Sequence, residues 1–235
     1  MSSEFGSIPE ALIPAMKRKI LAEAKKEEFA ARSAASTARA HEIDLAKKEV
    51  EHSRLLAGDF FHKKFYFDSD VNAKTVGFCM DQLDQWDRMS VDPVVIEIII
   101  TSPGGSVTDG LALFDRIKQL QRRGHTIDTT ALGWAASMGG ILLQAGNTRA
   151  MSKESWLLIH QVSAGMMGSF GELADRMKWL EMTQERILDI FADRAASSGA
   201  SKPISRATIK KNWERTDWWI SSEEALKFGL IDEVV

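Results

Sequence analysis

Residues 94–100 read Val-Val-Ile-Glu-Ile-Ile-Ile, and Thr-Ser-Pro-Gly-Gly follows at once. Six of these seven side chains are β-branched, so the run favours a strand over a helix. A nearly continuous apolar strand is the pattern of one buried on both faces, and such strands belong to sheets covered by helices. Pro103-Gly104-Gly105 ends the run, as proline and glycine end strands generally. The spacing then predicts a helix over 110–123, with Leu111, Phe114, Ile117 and Leu120 at core intervals and Gly124 as its stop. A β-prone run over 126–132, a short small-residue helix over 135–144, a turn or small hairpin over 147–151 and a strand over 156–160 come next. Upstream, 64–68 reads as a short aromatic strand and 71–86 as a helix. Alternating strands and helices define an α/β fold built from βαβ units.

A long amphipathic helix is expected over 170–198, from Leu173, Met177, Leu180, Ile187, Phe191 and Ala195, with Gly199 beyond it. A short helix over 204–213 and an extended Trp218-Trp219-Ile220 follow. Ser221 and Glu224 form a capping-box pattern ahead of a last helix that stops at Gly229.

The first 56 residues are of another kind. Residues 10–56 hold 11 alanines, ten Lys/Arg and eight Asp/Glu, with no glycine and one proline, Pro14. Alanine and long charged side chains favour helix, and one helix over 15–56 is roughly 60 Å long. Its apolar residues are thin and fit no sustained heptad. The arm reads as a solvated helix, or as a contact for a neighbouring subunit or assembly partner. The division expected is an arm over 1–56 and a single compact domain over 57–235. Ser-Glu-Phe-Gly-Ser at 3–7 has the look of a cloning scar and is set aside.

Composition removes several function classes. The chain of 235 residues is 44% apolar and 27% charged, with 30 Lys+Arg against 33 Asp+Glu and a net charge of −3. It carries no strong field for nucleic acid. One cysteine, Cys79, excludes an internal disulfide framework and a cysteine-rich metal site. There is no run of 18 apolar residues and no secretory h-region, so a cytoplasmic protein away from membranes is expected.

The residues able to do chemistry cluster at strand ends. Ser137 lies between the 126–132 strand and a helix start, among Gly133, Ala135, Ala136, Gly139 and Gly140. Small neighbours and the free N–H groups of a helix start suit a nucleophile; a plain helix N-cap is the competing reading. Gly104 and Gly105 end the buried strand, at the sheet edge where α/β proteins bind ligands. Their amides, with that of Met138, can face an anion; a plain Pro-Gly turn is the alternative. His160 closes the apolar run at 156–159 and is the candidate general base; a satisfied histidine at the strand edge is the alternative. His41 and His52 lie in the arm, His62 in a basic patch and His125 in what reads as a surface turn. Asp175, Asp189, Asp193 and Asp217 are all candidates for the acid that fixes the imidazole tautomer, and position does not separate them.

Four blocks resemble the Clp protease proteolytic subunit family: Ser102-Pro103-Gly104-Gly105-Ser106-Val107, Gly133 to Gly139 around Ser137, Ile159-His160-Gln161, and Asp217 ahead of Trp218-Trp219-Ile220-Ser221 and the tail to Asp232. The resemblance runs over about 64–235. It implies a crotonase-like βαβ spiral whose long helix makes ring-to-ring contacts, with two stacked rings of subunits around a closed chamber. It implies a serine endopeptidase with Ser137 as nucleophile, His160 as base, Asp217 as orienting acid, and Gly105 and Met138 as oxyanion donors, acting on polypeptides with no metal or cofactor. Partners implied are an AAA+ ATPase or, since viral head-maturation proteases include relatives of the family, capsid or scaffold proteins. Two features depart from the pattern. The family has a proline and two glycines soon after the histidine, where this chain has Val162-Ser163-Ala164-Gly165-Met166-Met167-Gly168. The arm has no counterpart in housekeeping subunits, and it occupies the region where they present short loops to the ATPase. A latent shell protein and an acyl-thioester hydratase or isomerase on the same fold are the competing functions.

Overall fold

The computed structural model describes residues 10–163, 165, 167–214 and 217–235. The 3–7 segment and residues 164 and 166 of the departing run lie outside them. The chain divides into two units, Met1–Gly58 and Asp59–Val235.

In the first unit a short 3-10 turn, Glu10–Leu12, leads into α1, Ile13–Leu56, 44 residues with none buried. Pro14 lies in its first turn, where the missing N–H costs nothing. Ion pairs one turn apart, Glu28 with Arg32 and Asp44 with Lys48, each 2.8 Å, add local support.

The second unit is a seven-stranded sheet with helices. In chain order its elements are α2 (Asp59–His62), β1 (Lys64–Phe67), α3 (Ala73–Met89), β2 (Val95–Ser102), α4 (Val107–Arg122), β3 (Thr126–Ala136), α5 (Met138–Leu143), β4 (Arg149–Met151), β5 (Trp156–Ile159), α6 (Phe170–Ala196), α7 (Arg206–Trp213), β6 (Trp218–Ser221), α8 (Ser222–Phe228) and β7 (Glu233–Val234). The main path is β1-β2-β3-β4-β7, all parallel, with β5 parallel to the far end of β3 and β6 antiparallel to β5. The core is apolar and continuous: Ile96, Ile98 and Ile100 from β2, Ile127 and Ala131 from β3, Leu83 and Trp86 from α3, Ile117 and Leu120 from α4, and Ile187 and Phe191 from α6. Cys79 is fully buried on α3, and burial pushes its thiol pKa up. The tail is fastened by Arg149, which is buried and donates to both carboxylate oxygens of Asp232 (Nη2 to Oδ1, 2.6 Å; Nε to Oδ2, 3.0 Å) and to the carbonyl of Leu230.

Several expectations need correction. β2 is buried on one face only: Ile96, Ile98, Ile100 and Ser102 point inward, while Val95 is exposed and Glu97 and Ile99 are half-buried. Glu97 pairs with Lys64 at 2.9 Å on that open face. Isoleucine suits a pleated strand whether or not its second face is covered, so the run overstated the burial. The helix expected from 135 begins at Met138, because Ala135 and Ala136 are held in β3 by pairing with Leu157 and Leu158 of β5. The segment at 147–151 makes no hairpin; β4 inserts parallel between β3 and β7. His125 is buried: it accepts from the Val94 N–H at Nδ1 (3.2 Å) and its Nε2 lies 2.9 Å from Asp87. The apolar stripe of α6 is buried only in its second half, from Thr183 to Ala195.

Candidate active site

β3 runs to Ala136 and the chain then turns sharply into α5. Ser137 makes that turn with φ 53° and ψ −121°. Among the described residues, only Lys63 shares a positive φ without being glycine. Such backbone costs about 1–3 kcal/mol and persists only where its surroundings enforce it. Here they do: the Ser137 N–H donates to the Leu158 carbonyl (3.0 Å), and the Ser137 carbonyl accepts from Ile141 N–H (3.2 Å). Small residues permit the approach. A Cβ on Gly139 would lie 2.9 Å from the Ser102 carbonyl oxygen, and one on Gly140 2.8 Å from Leu157 Cδ1. Ser137 stands at the N-cap of α5, but its side chain makes no capping hydrogen bond, and among the described residues its hydroxyl has no hydrogen-bond partner.

The loop after β2 lies directly against this serine. A Cβ on Gly104, whose φ is +93°, would sit 2.6 Å from Ser137 Cβ and 2.9 Å from the Met138 nitrogen. Gly105, with φ +145°, is equally confined; a Cβ there would be 2.3 Å from the Val71 carbonyl oxygen. Two backbone bonds, Val71 N–H to Gly104 O (2.8 Å) and Ser106 N–H to Val71 O (2.7 Å), lock the loop. Ser102 Oγ holds its base by donating to Ser69 O (2.7 Å) and accepting from Gly104 N–H (3.2 Å). Among the described residues, the N–H groups of Gly105 and Met138 have no acceptor. The plain-turn reading leaves unexplained why a glycine with positive φ abuts a serine that has one too.

Ser137, His160, Gly105 and Met138 line one narrow cleft of about 50 Å³, backed by Val107, Ile141, Ile187 and Phe191. His160 reaches it because β5, beside β3, ends at Ile159. Asp217 does not line the cleft and is exposed. The antiparallel β5–β6 ladder ends with Ile159 opposite Trp218, so His160 and Asp217 each lie one residue beyond the same end of it. Among the described residues no hydrogen bond joins Ser137, His160 and Asp217. The other acids are exposed on α6, and Asp189 is engaged with Arg206 Nε at 2.6 Å. Of the four acids, Asp217 alone adjoins the ladder that ends beside His160; the other three lie on α6.

Sequence reasoning missed the aromatic surface on this sheet. Trp134 of β3 and Trp219 of β6 stack with ring centroids 6.3 Å apart and planes 3° from parallel. The signal available was tryptophan at strand positions 134, 156 and 219; what joins them is long-range pairing.

A mostly parallel sheet carrying helices is an α/β fold, consistent with the Clp protease and crotonase-like superfamily. Residues 63–235 match the Clp protease family model, and the chain belongs to that family. Among curated proteins it is similar to ATP-dependent Clp protease proteolytic subunit 1 of Streptomyces avermitilis, 34% identical over 142 residues, 60% of each chain. It is also similar to ATP-dependent Clp protease proteolytic subunit 2 of Chlamydia muridarum and of Chlamydia pneumoniae, each 36% identical over 150 residues, 63% of this chain and 68% of theirs. The chain thus spans less than two thirds of the Streptomyces relative, and the family match begins beyond the arm.

Proposed function

We propose that this chain is a serine endopeptidase that hydrolyses polypeptides, with Ser137 as nucleophile, His160 as general base and Asp217 as the acid that orients it. The observation that carries this reading is the enforced positive φ of Ser137, in a cleft it shares with His160, Gly105 and Met138. In the reaction, Ser137 Oγ attacks the scissile carbonyl as His160 takes its proton. The N–H groups of Gly105 and Met138 receive the oxyanion, and His160 returns the proton to the leaving amine. Water, deprotonated by His160, then releases the acyl group. The apolar back wall of Val107, Ile141, Ile187 and Phe191 suits an apolar substrate side chain. The chemistry calls for no metal or cofactor.

On this reading residues 57–235 form the peptidase, a βαβ spiral that assembles through α6 into stacked rings in the cytoplasm, and 1–56 form the arm. The relatives' names carry the words ATP-dependent and proteolytic subunit, which supports an AAA+ ATPase as partner. The fully exposed α1 favours a second reading, an assembly or shell protein, of which a viral head-maturation protease working with capsid or scaffold proteins is one form. One experiment separates them. Purified protein is assayed on a fluorogenic peptide and with a serine-directed probe, beside Ser137→Ala. The expected result is cleavage and labelling that both vanish in the variant. Equal labelling of the two proteins removes Ser137 as nucleophile; no cleavage by either, in assembled particles, favours the shell; turnover of an acyl thioester instead moves the chain to hydratase or isomerase chemistry.

A further inference from the structure

We infer that the Trp134–Trp219 stack is a positioning device for Asp217, tying the strand that carries the acid to the strand that carries the nucleophile. This rests on the triad reading above. β3 and β6 do not pair with each other; each pairs with β5 between them. The register places Ala136, Leu158 and Trp219 in one row across the three strands, and Trp134, Trp156 and Ser221 two rows away. Side chains two apart on a strand share a face, so Trp219 and Asp217 lie on the same side of the sheet, as do Trp156, Leu158 and, one step beyond the strand, His160. From that side the Trp219 indole reaches diagonally over β5 to stack on Trp134. Leu158, on the strand they bridge, is only 9% exposed.

β6 needs such a tie. It has four residues and one strand neighbour, and Asp217, immediately before it, is exposed. Its other side chains pull elsewhere: Ile220 enters the core and Trp218 meets Phe228, with centroids 5.9 Å apart. Among the side chains of β6, Trp219 alone makes an aromatic contact with β3, three residues from Ser137 along the chain. Both stacked rings keep substantial exposure, 39% for Trp134 and 42% for Trp219, so neither is a core anchor. Near-parallel packing fixes the distance between the two strands while leaving the site open.

The test uses the full chain and a peptide substrate. Trp134→Ala, Trp219→Ala and Trp219→Phe are made in the native background and with Asp217→Asn. The stack is the one Trp–Trp ring contact among the described residues, so its exciton couplet in circular dichroism reports it directly. Either alanine variant is expected to abolish the couplet and lower kcat about tenfold, with KM nearly constant. Trp219→Phe, which keeps an aromatic face, restores most of kcat. In the Asp217→Asn background neither alanine substitution costs further activity. The inference is overturned if the couplet is lost while kcat stays put. It is equally overturned if the loss persists undiminished beside Asp217→Asn or appears in KM alone, either of which assigns the rings to substrate binding or general stability. Native turnover by Asp217→Asn alone brings down the acid's role itself, a failure visible before the tryptophans are touched.

Discussion

α1 and α4 are both regular helices, yet they exist for different reasons. α4 buries Gly110, Leu113, Ile117 and Leu120, and Ser106 caps its start by accepting from Asp109 N–H. α1 is almost three times as long, 44 residues against 16, has no side-chain cap, and buries nothing. Its helicity comes from alanine, lysine, arginine and glutamate, residues that lose little on entering a helix. The contrast separates two sources of order. In 59–235 the sheet selects the helices; in the arm the local chain selects itself, and isolated helices of that kind fray readily in water.

The contrast is broken most forcefully through activity. With the arm removed by deleting 1–56, peptide cleavage by the remaining domain is expected to persist, whereas Asp217→Asn in the full chain should lower kcat by about 10⁴-fold through loss of tautomer control. Steady-state kinetics on both proteins checks this, and loss of cleavage on deletion would make the arm part of the enzyme. Stability gives the next effect. Leu120→Ala, at a fully buried position, should cost about 2–5 kcal/mol in denaturant unfolding. Leu21→Ala, at an arm position 58% exposed, should stay within about 0.5 kcal/mol; a large cost there would mean that the arm has a packed partner in solution.

Acid sharpens the comparison further. Burial pushes the Asp232 carboxyl upward, but the hydrogen bonds and charge of Arg149 outweigh it and hold the group below its ordinary value of 3.8. A carboxyl depressed in the folded state binds fewer protons there than when unfolded, so its stabilisation is complete above pH 3.8 and is lost as pH falls through the folded value. Asp232→Asn should therefore be less stable at neutral pH and show a shallower decline below about pH 4, measured by thermal unfolding across pH. The smallest effect belongs to the arm's ion pairs. Glu28→Gln beside Arg32 should change helicity by no more than about 0.5 kcal/mol, and less in high salt.

Much of this was legible because it is local. Ser221 and Glu224 announce the start of α8, and the structure has the reciprocal capping box; Gly229 ends it with a left-handed φ of 73°. The arm's helix follows from composition alone. Residues distant in the chain were harder. Nothing in Arg149-Ala150-Met151 reveals that its partners are Thr129 to Ala131 on one side and Glu233-Val234 on the other, and β-branching in β2 could not reveal an open second face. At the site, Ser137 and the glycines stood out because close backbone approach demands small residues. Four aspartates are equivalent by sequence position, and only strand pairing brings Asp217 to the ladder end beside His160. The tryptophan stack was invisible for the same reason: it is a product of strand pairing, and no periodicity encodes it.

The lone thiol offers a practical opening. Cys79 is sealed inside the domain and burial holds it in its unreactive protonated form. A cysteine introduced anywhere along the arm would then be the single site open to maleimide chemistry in otherwise native protein. Spin or fluorophore labels attached in that way turn the question of what the arm touches into a set of measurable distances.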